Sequence, residues 1–172
     1  MRKFTSNDIF HFNVALGVLL FYFSIMLIFP RSLLRDPDTF WHIRTGQWIL
    51  DHAKLPTVDF YSYTAVGKRW ISTEWLAELF FAVSFRIAEW RGVVILSALV
   101  CAATIAIICF YLLQNVRFSI AIGWTALTAL AVSSHFHARP HLFSYIIASI
   151  WLIKLLESYD LGDFRSDRKS VV

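Results

Sequence analysis

Charged residues are scarce in this 172-residue chain. Asp, Glu, Lys and Arg make up 16% of it, against a hydrophobic share of 58%. An ordinary soluble domain carries about 25% charged residues, so the composition places the chain among membrane proteins. The net charge is +4, and no nucleic-acid motif accompanies it. We therefore expect lipid headgroups, and no nucleic acid, as partners of the basic residues.

Cysteine is nearly absent, with only Cys101 and Cys109 present. They lie eight positions apart in one apolar run, which corresponds to about 12 Å of helical rise. That separation is too large for a disulfide, so both are interpreted as small buried apolar residues.

Long uncharged runs dominate the rest. The pattern predicts an all-α polytopic membrane protein with about five transmembrane helices, because each run is continuously apolar and of near-spanning length. The predicted helices are 12–30, 75–90, 93–116, 118–134 and 142–156. A polar tail is expected over 158–172, and 31–73 forms one structured loop outside the membrane.

The loop contains a predicted helix of its own. Asp36-Pro37 is a favourable helix start, because Asp caps free backbone N–H groups and Pro suits the first helical position. The helix should extend to about His52. Its Trp41 and Trp48 are typical of a helix that lies flat at the membrane interface.

Asp36 and Asp38 are the leading candidates for chemistry. Two carboxylates at this spacing could share Mg²⁺ or Mn²⁺, which prefer oxygen ligands. Either could also act as a general base. The structural alternative is that Asp36 only caps the helix and Asp38 only complements its dipole.

Other polar residues could complete a site. Arg44 could hold a phosphate through a fork of hydrogen bonds, or contact lipid headgroups. Glu74 and Glu78 share one helical face, and could reach the loop site or simply end a helix. His135, His137 and His141 could bind zinc, but their loose spacing around Pro140 favours an interfacial turn.

Three stretches together resemble a known family. They are Asp36-Pro37-Asp38-Thr39-Phe40-Trp41-His42-Ile43-Arg44, Trp70-Ile71-Ser72-Thr73-Glu74-Trp75 and Ala138-Arg139-Pro140-His141-Leu142-Phe143-Ser144. The first follows a membrane helix and is similar to the first external loop of oligosaccharyltransferase catalytic subunits, which belong to the GT-C glycosyltransferases. The others are similar to stretches of bacterial GT-C proteins.

The resemblance implies transfer of a sugar from a polyprenyl-phosphate donor at the outer face of a bacterial inner membrane. It implies Asp38 and Asp36 as catalytic or metal-binding residues. The substrate-binding residues would be Arg44, His42, Glu74 and Arg139. The chain departs from the family in having few helices and no carboxylate over 114–117, so it resembles an amino-terminal module.

Two questions stay open at the sequence level. A non-catalytic membrane scaffold, whose aromatic loop docks a protein partner, is the alternative function. The positive-inside rule also predicts a cytoplasmic loop, because basic residues concentrate in 31–73, whereas the resemblance predicts an external one.

Overall fold

The computed structural model describes residues 5–160, and the fold is all-α as predicted. Five α-helices follow one another: α1 (Ser6–Ile28), α2 (Asp38–His52), α3 (Trp75–Asn115), α4 (Phe118–Ser133) and α5 (His141–Asp160). A short 3₁₀ helix, Pro30–Ser32, follows α1. The predicted polar tail begins inside α5, and its remainder, 161–172, lies outside the described residues.

The protein has the helices of a membrane protein. Three helices of the described chain are long and apolar enough to cross a bilayer: Ser6–Ile28, Trp75–Asn115 and His141–Tyr159. The apolar helix α4 is shorter. The first helix starts earlier than predicted, because a capping box between Thr5 and Asp8 stabilises its polar first turn.

The long helix α3 is broken near its first third. Ala88 and Glu89 leave helical geometry, and Glu89 has a positive φ of 50°. A Cβ on Gly92 would lie 2.0 Å from the Ser84 carbonyl oxygen, whereas eight residues of straight helix would separate them by about 12 Å. The chain therefore folds back on itself here, at 88–89 rather than at the predicted Arg91-Gly92 turn.

The first part of α3 packs beside α2. His42 faces Glu78, and Asp51 pairs with Arg86, so the two helices run in the same direction. Segment 75–87 is about 20 Å long, less than the roughly 30 Å of a bilayer core. The sequence predicted a separate membrane span over 75–90, whereas in the structure 75–87 packs along α2.

Different residues meet at the two ends of the helix bundle. At one end the Ala138 N–H donates to the Leu33 carbonyl at 2.8 Å, and α2 lies nearby. At the other end Thr5, Asn7, Asn115 and Glu157 surround one cavity. The chain passes between these ends through α1, 90–115, α4 and α5.

This path places the 135–141 turn and the 31–73 loop at the same end of the bundle. The five crossings expected from the sequence would place them at opposite ends, but 75–87 packs beside α2 and stays at one end. Buried Leu33, Phe136 and Leu142 anchor this end in a core shared with Val94 and Ile105.

Gly46 allows α2 to approach α3 closely. A Cβ there would lie 2.0 Å from the Glu78 backbone oxygen and 2.8 Å from the Ala82 Cβ. Gly46→Ala is expected to destabilise the protein by about 1–3 kcal/mol or more, because rigid backbone must move. Thermal unfolding in detergent measures the loss.

Gly123→Ala is the matched control, because nothing lies within 4 Å of the position of its new methyl group. It should change stability by less than about 1 kcal/mol. Equal effects of the two substitutions would contradict the close helix contact.

Candidate functional site

The start of α2 is built by Asp36. Its Oδ1 accepts the Asp38 backbone N–H at 3.0 Å, although Pro37 is the residue that immediately precedes the helix. Asp36 therefore satisfies a free backbone donor, as the sequence predicts. Asp38 is the first helical residue, where its charge complements the helix dipole.

Arg139 joins the two aspartates. Its Nε lies 3.1 Å from Asp36 Oδ2, and its Nη2 donates to Asp38 Oδ2. The turn that carries Arg139 is held in place by a buried hydrogen bond from Thr39 Oγ1 to the Ala138 carbonyl at 3.0 Å. The loop and the 135–141 turn thus form one electrostatic unit.

A second polar cluster lies one turn further along α2. His42 Nδ1 lies 3.2 Å from Glu78 Oε1 and 3.7 Å from Glu74 Oε2. Ser72 Oγ donates to Glu78 Oε2 at 2.5 Å. Glu78 is only 1% exposed, whereas the Glu74 side chain is about half exposed.

The two clusters open into one cavity of about 500 Å³. Its lining residues come from α2, from the start of α3 and from the turn before α5: Asp38, Trp41, His42, Glu74, Arg139, Pro140 and His141. Four residues predicted from the sequence, Asp38, His42, Glu74 and Arg139, therefore meet in one place.

Two other predicted residues do not line this cavity. Arg44 is exposed and donates to Gln47 Oε1 at 3.1 Å. Asp36 is instead paired with Arg139, through its Oδ2 at 3.1 Å from Nε. Arg139, and not Arg44, is among the residues that line the cavity.

The Asp36 and Asp38 pair is arranged for a guanidinium. Asp36 uses one oxygen for the Asp38 N–H and the other for Arg139. A divalent cation would have to displace Arg139, so this arrangement does not fit Mg²⁺ or Mn²⁺ shared by the two carboxylates. In the 135–141 turn, His137 Nδ1 contacts the Ser32 carbonyl and His141 Nε2 contacts the His135 carbonyl. These histidines therefore face different backbone groups rather than one shared zinc position.

The 59–70 segment supports one wall of the cavity. Trp41 packs against Tyr61, with ring centroids 4.3 Å apart, and against Trp70 at 5.5 Å. The Ser62 hydroxyl and the backbone N–H groups of Ser62 and Tyr61 hold the pKa of Asp59 below its usual value. These bonds fix the turn that presents Tyr61, whose own pKa is raised by burial.

Sequence reasoning underrated Glu78 and Ser72. The available signal was the spacing of Glu74 and Glu78, which places both one turn apart on a helix. Ser72 gave no signal, because its contact with Glu78 depends on how the chain enters α3.

Comparison with protein-family models, characterised proteins and solved structures finds no match to this chain.

Proposed function

We propose that the protein is a GT-C-like glycosyltransferase, or its amino-terminal module, acting on a polyprenyl-phosphate-linked sugar. The observation that supports this most directly is the cavity, which brings the Asp38 carboxylate and the Arg139 guanidinium together at one end of a bundle of apolar helices. An amphiphilic donor needs such a polar cavity beside lipid-facing helices.

Asp38 is the proposed general base. It takes the proton of an acceptor hydroxyl, whose oxygen then forms a bond to the anomeric carbon of the donor. The bond between that carbon and the phosphate oxygen breaks, and the electron pair leaves with the polyprenyl phosphate. The proton on Asp38 passes to solvent.

Arg139 is the proposed phosphate contact. A guanidinium carries five N–H donors, and the two aspartates engage it at Nε and Nη2. Its other donors can bind a phosphate, and their charge stabilises the leaving group. Asp36 positions Arg139, and His42 and Glu74 provide polar contacts for the sugar.

Sugar release from a polyprenyl-phosphate hexose, with the full chain in lipid nanodiscs, tests the proposal. Time-dependent release of polyprenyl phosphate is expected with a hydroxyl acceptor. Failure to bind polyprenyl phosphate, together with no release, would overturn it and favour the scaffold function, for which the fully exposed Tyr63 offers a contact point.

We also propose that the cavity faces the outside of a bacterial inner membrane. A cysteine at Tyr63, which is 99% exposed, should react with a membrane-impermeant thiol reagent on intact cells. Native Cys101 and Cys109 are buried and give little background.

Asn115→Cys is the control, because this exposed residue lies at the opposite end of the bundle. It should react only after lysis. The reverse pattern, which the positive-inside rule predicts, would place the cavity in the cytoplasm and contradict an external donor site.

A further inference from the structure

We propose that His42, Glu74 and Glu78 form a binding site for a divalent transition-metal ion of the zinc type. This site is distinct from the Asp36 and Asp38 pair. It goes beyond sugar transfer, and it does not depend on that activity.

The spacing of the donor atoms is the first reason. Ligands held about 2.0–2.1 Å from one tetrahedral ion are about 3.3 Å from one another. The observed separations from His42 Nδ1 are 3.2 Å to Glu78 and 3.7 Å to Glu74. All three donor atoms lie within 4.8 Å of one another, so a small adjustment of the half-exposed Glu74 would bring them around one ion.

Charge is the second reason. The cluster holds two carboxylates, and Glu78 is 1% exposed. Within residues 5–160, no Lys or Arg nitrogen lies within ion-pair distance of either one. A nearby cation stabilises a buried carboxylate. A divalent ion would neutralise both carboxylates.

Support and access are the third reason. Ser72 donates to Glu78 Oε2, which leaves Oε1 directed at His42, and such supporting bonds orient metal ligands. His42 and Glu74 also line the 500 Å³ cavity. Three protein ligands beside an open cavity leave a coordination position for water or substrate, as in catalytic zinc sites.

The donor set selects the ion. Imidazole nitrogen favours zinc and its neighbours, whereas Mg²⁺ prefers oxygen ligands and keeps its water. A magnesium ion should therefore not displace zinc at equal concentration.

The test uses the full chain without a histidine tag, stripped with a chelator and titrated with Zn²⁺ in detergent. Mass spectrometry of the metal should find one zinc per chain, and the melting temperature should rise with zinc. His42→Gln and Glu74→Gln should each weaken zinc binding by more than about 100-fold, because loss of a supporting partner alone costs about 10–100-fold. Ser72→Ala should fall within that smaller range.

His52→Gln and His135→Gln are matched controls, because each removes an exposed histidine outside the cluster. Both should bind zinc like the unmodified protein. Substoichiometric zinc in the unmodified chain, unchanged affinity in Glu74→Gln, or equal binding of Mg²⁺ would each overturn the proposal. The zinc titration contains neither a sugar donor nor a sugar acceptor, so its result is independent of sugar transfer.

Discussion

Asp38→Asn is expected to lower sugar transfer from a polyprenyl-phosphate donor by about 10²–10⁴-fold, the usual cost of losing a general base. Its structural cost should be small. Asp38 is the first residue of α2, and its charge gains about 0.3–1 kcal/mol from the helix dipole. Its ion pair with Arg139 is partly exposed, and such pairs contribute about 0–1 kcal/mol.

Asp36→Asn is the matched control for Asp38. An amide oxygen still accepts the Asp38 N–H, so the helix start should persist. Arg139 loses one of its two anionic partners, and transfer should fall less than in Asp38→Asn. Transfer from a labelled donor and thermal unfolding in detergent should be measured for both variants. Near-normal transfer by Asp38→Asn would leave Asp38 as an ordinary helix-start residue and remove it from the mechanism.

Arg139→Gln is expected to lower transfer by about 10²–10³-fold, similar to the loss of one preorganised donor to a developing negative charge. The leaving phosphate would lose its cation, and Asp36 and Asp38 would repel each other without one. Arg139→Lys should recover little of the activity, because an ammonium lacks the planar fork that spans both carboxylates.

Arg44→Gln tests whether the phosphate contact is Arg139, as proposed from the cavity, or Arg44, as predicted from the sequence. Arg44 contacts Gln47 on the exposed side of α2, so its loss should leave transfer near normal. The comparison is made at saturating and at limiting donor, which distinguishes weaker binding from slower chemistry. A large loss with Arg44→Gln and a small one with Arg139→Gln would return the phosphate contact to the residue predicted from sequence.

The zinc-type site would add charge to the cavity that also holds Arg139. Asp38, Arg139, His42 and Glu74 all line this cavity. An ion held by His42, Glu74 and Glu78 would place a second positive centre there. Once stoichiometric zinc binding has been measured, sugar transfer with and without zinc should be compared.

The sequence by itself determined the fold class and the loop helix. Continuous apolar runs can bury their backbone polar groups in a bilayer only as helices, so an all-α fold follows from composition and run length. The Asp36-Pro37 signal placed the start of α2 within two residues, because capping is a local interaction between neighbours. The spacing of the two aspartates selected Asp38, whereas His42 and Arg139 were selected only through the resemblance to GT-C proteins.

The tertiary structure alone decided which residues meet. Arg139 is about 100 positions from Asp38 in the chain, and only the fold-back at Ala88 and Glu89 places the 135–141 turn at the same end as α2. The charged residues Arg86, Glu89 and Arg91 predict a turn close to this break, but they give no sign that 75–87 stays at one end of the bundle. Gly46 similarly gives no sign of its role until Glu78 lies against it. Long-range packing, rather than local propensity, therefore sets the pairing of carboxylates with Arg139 and His42.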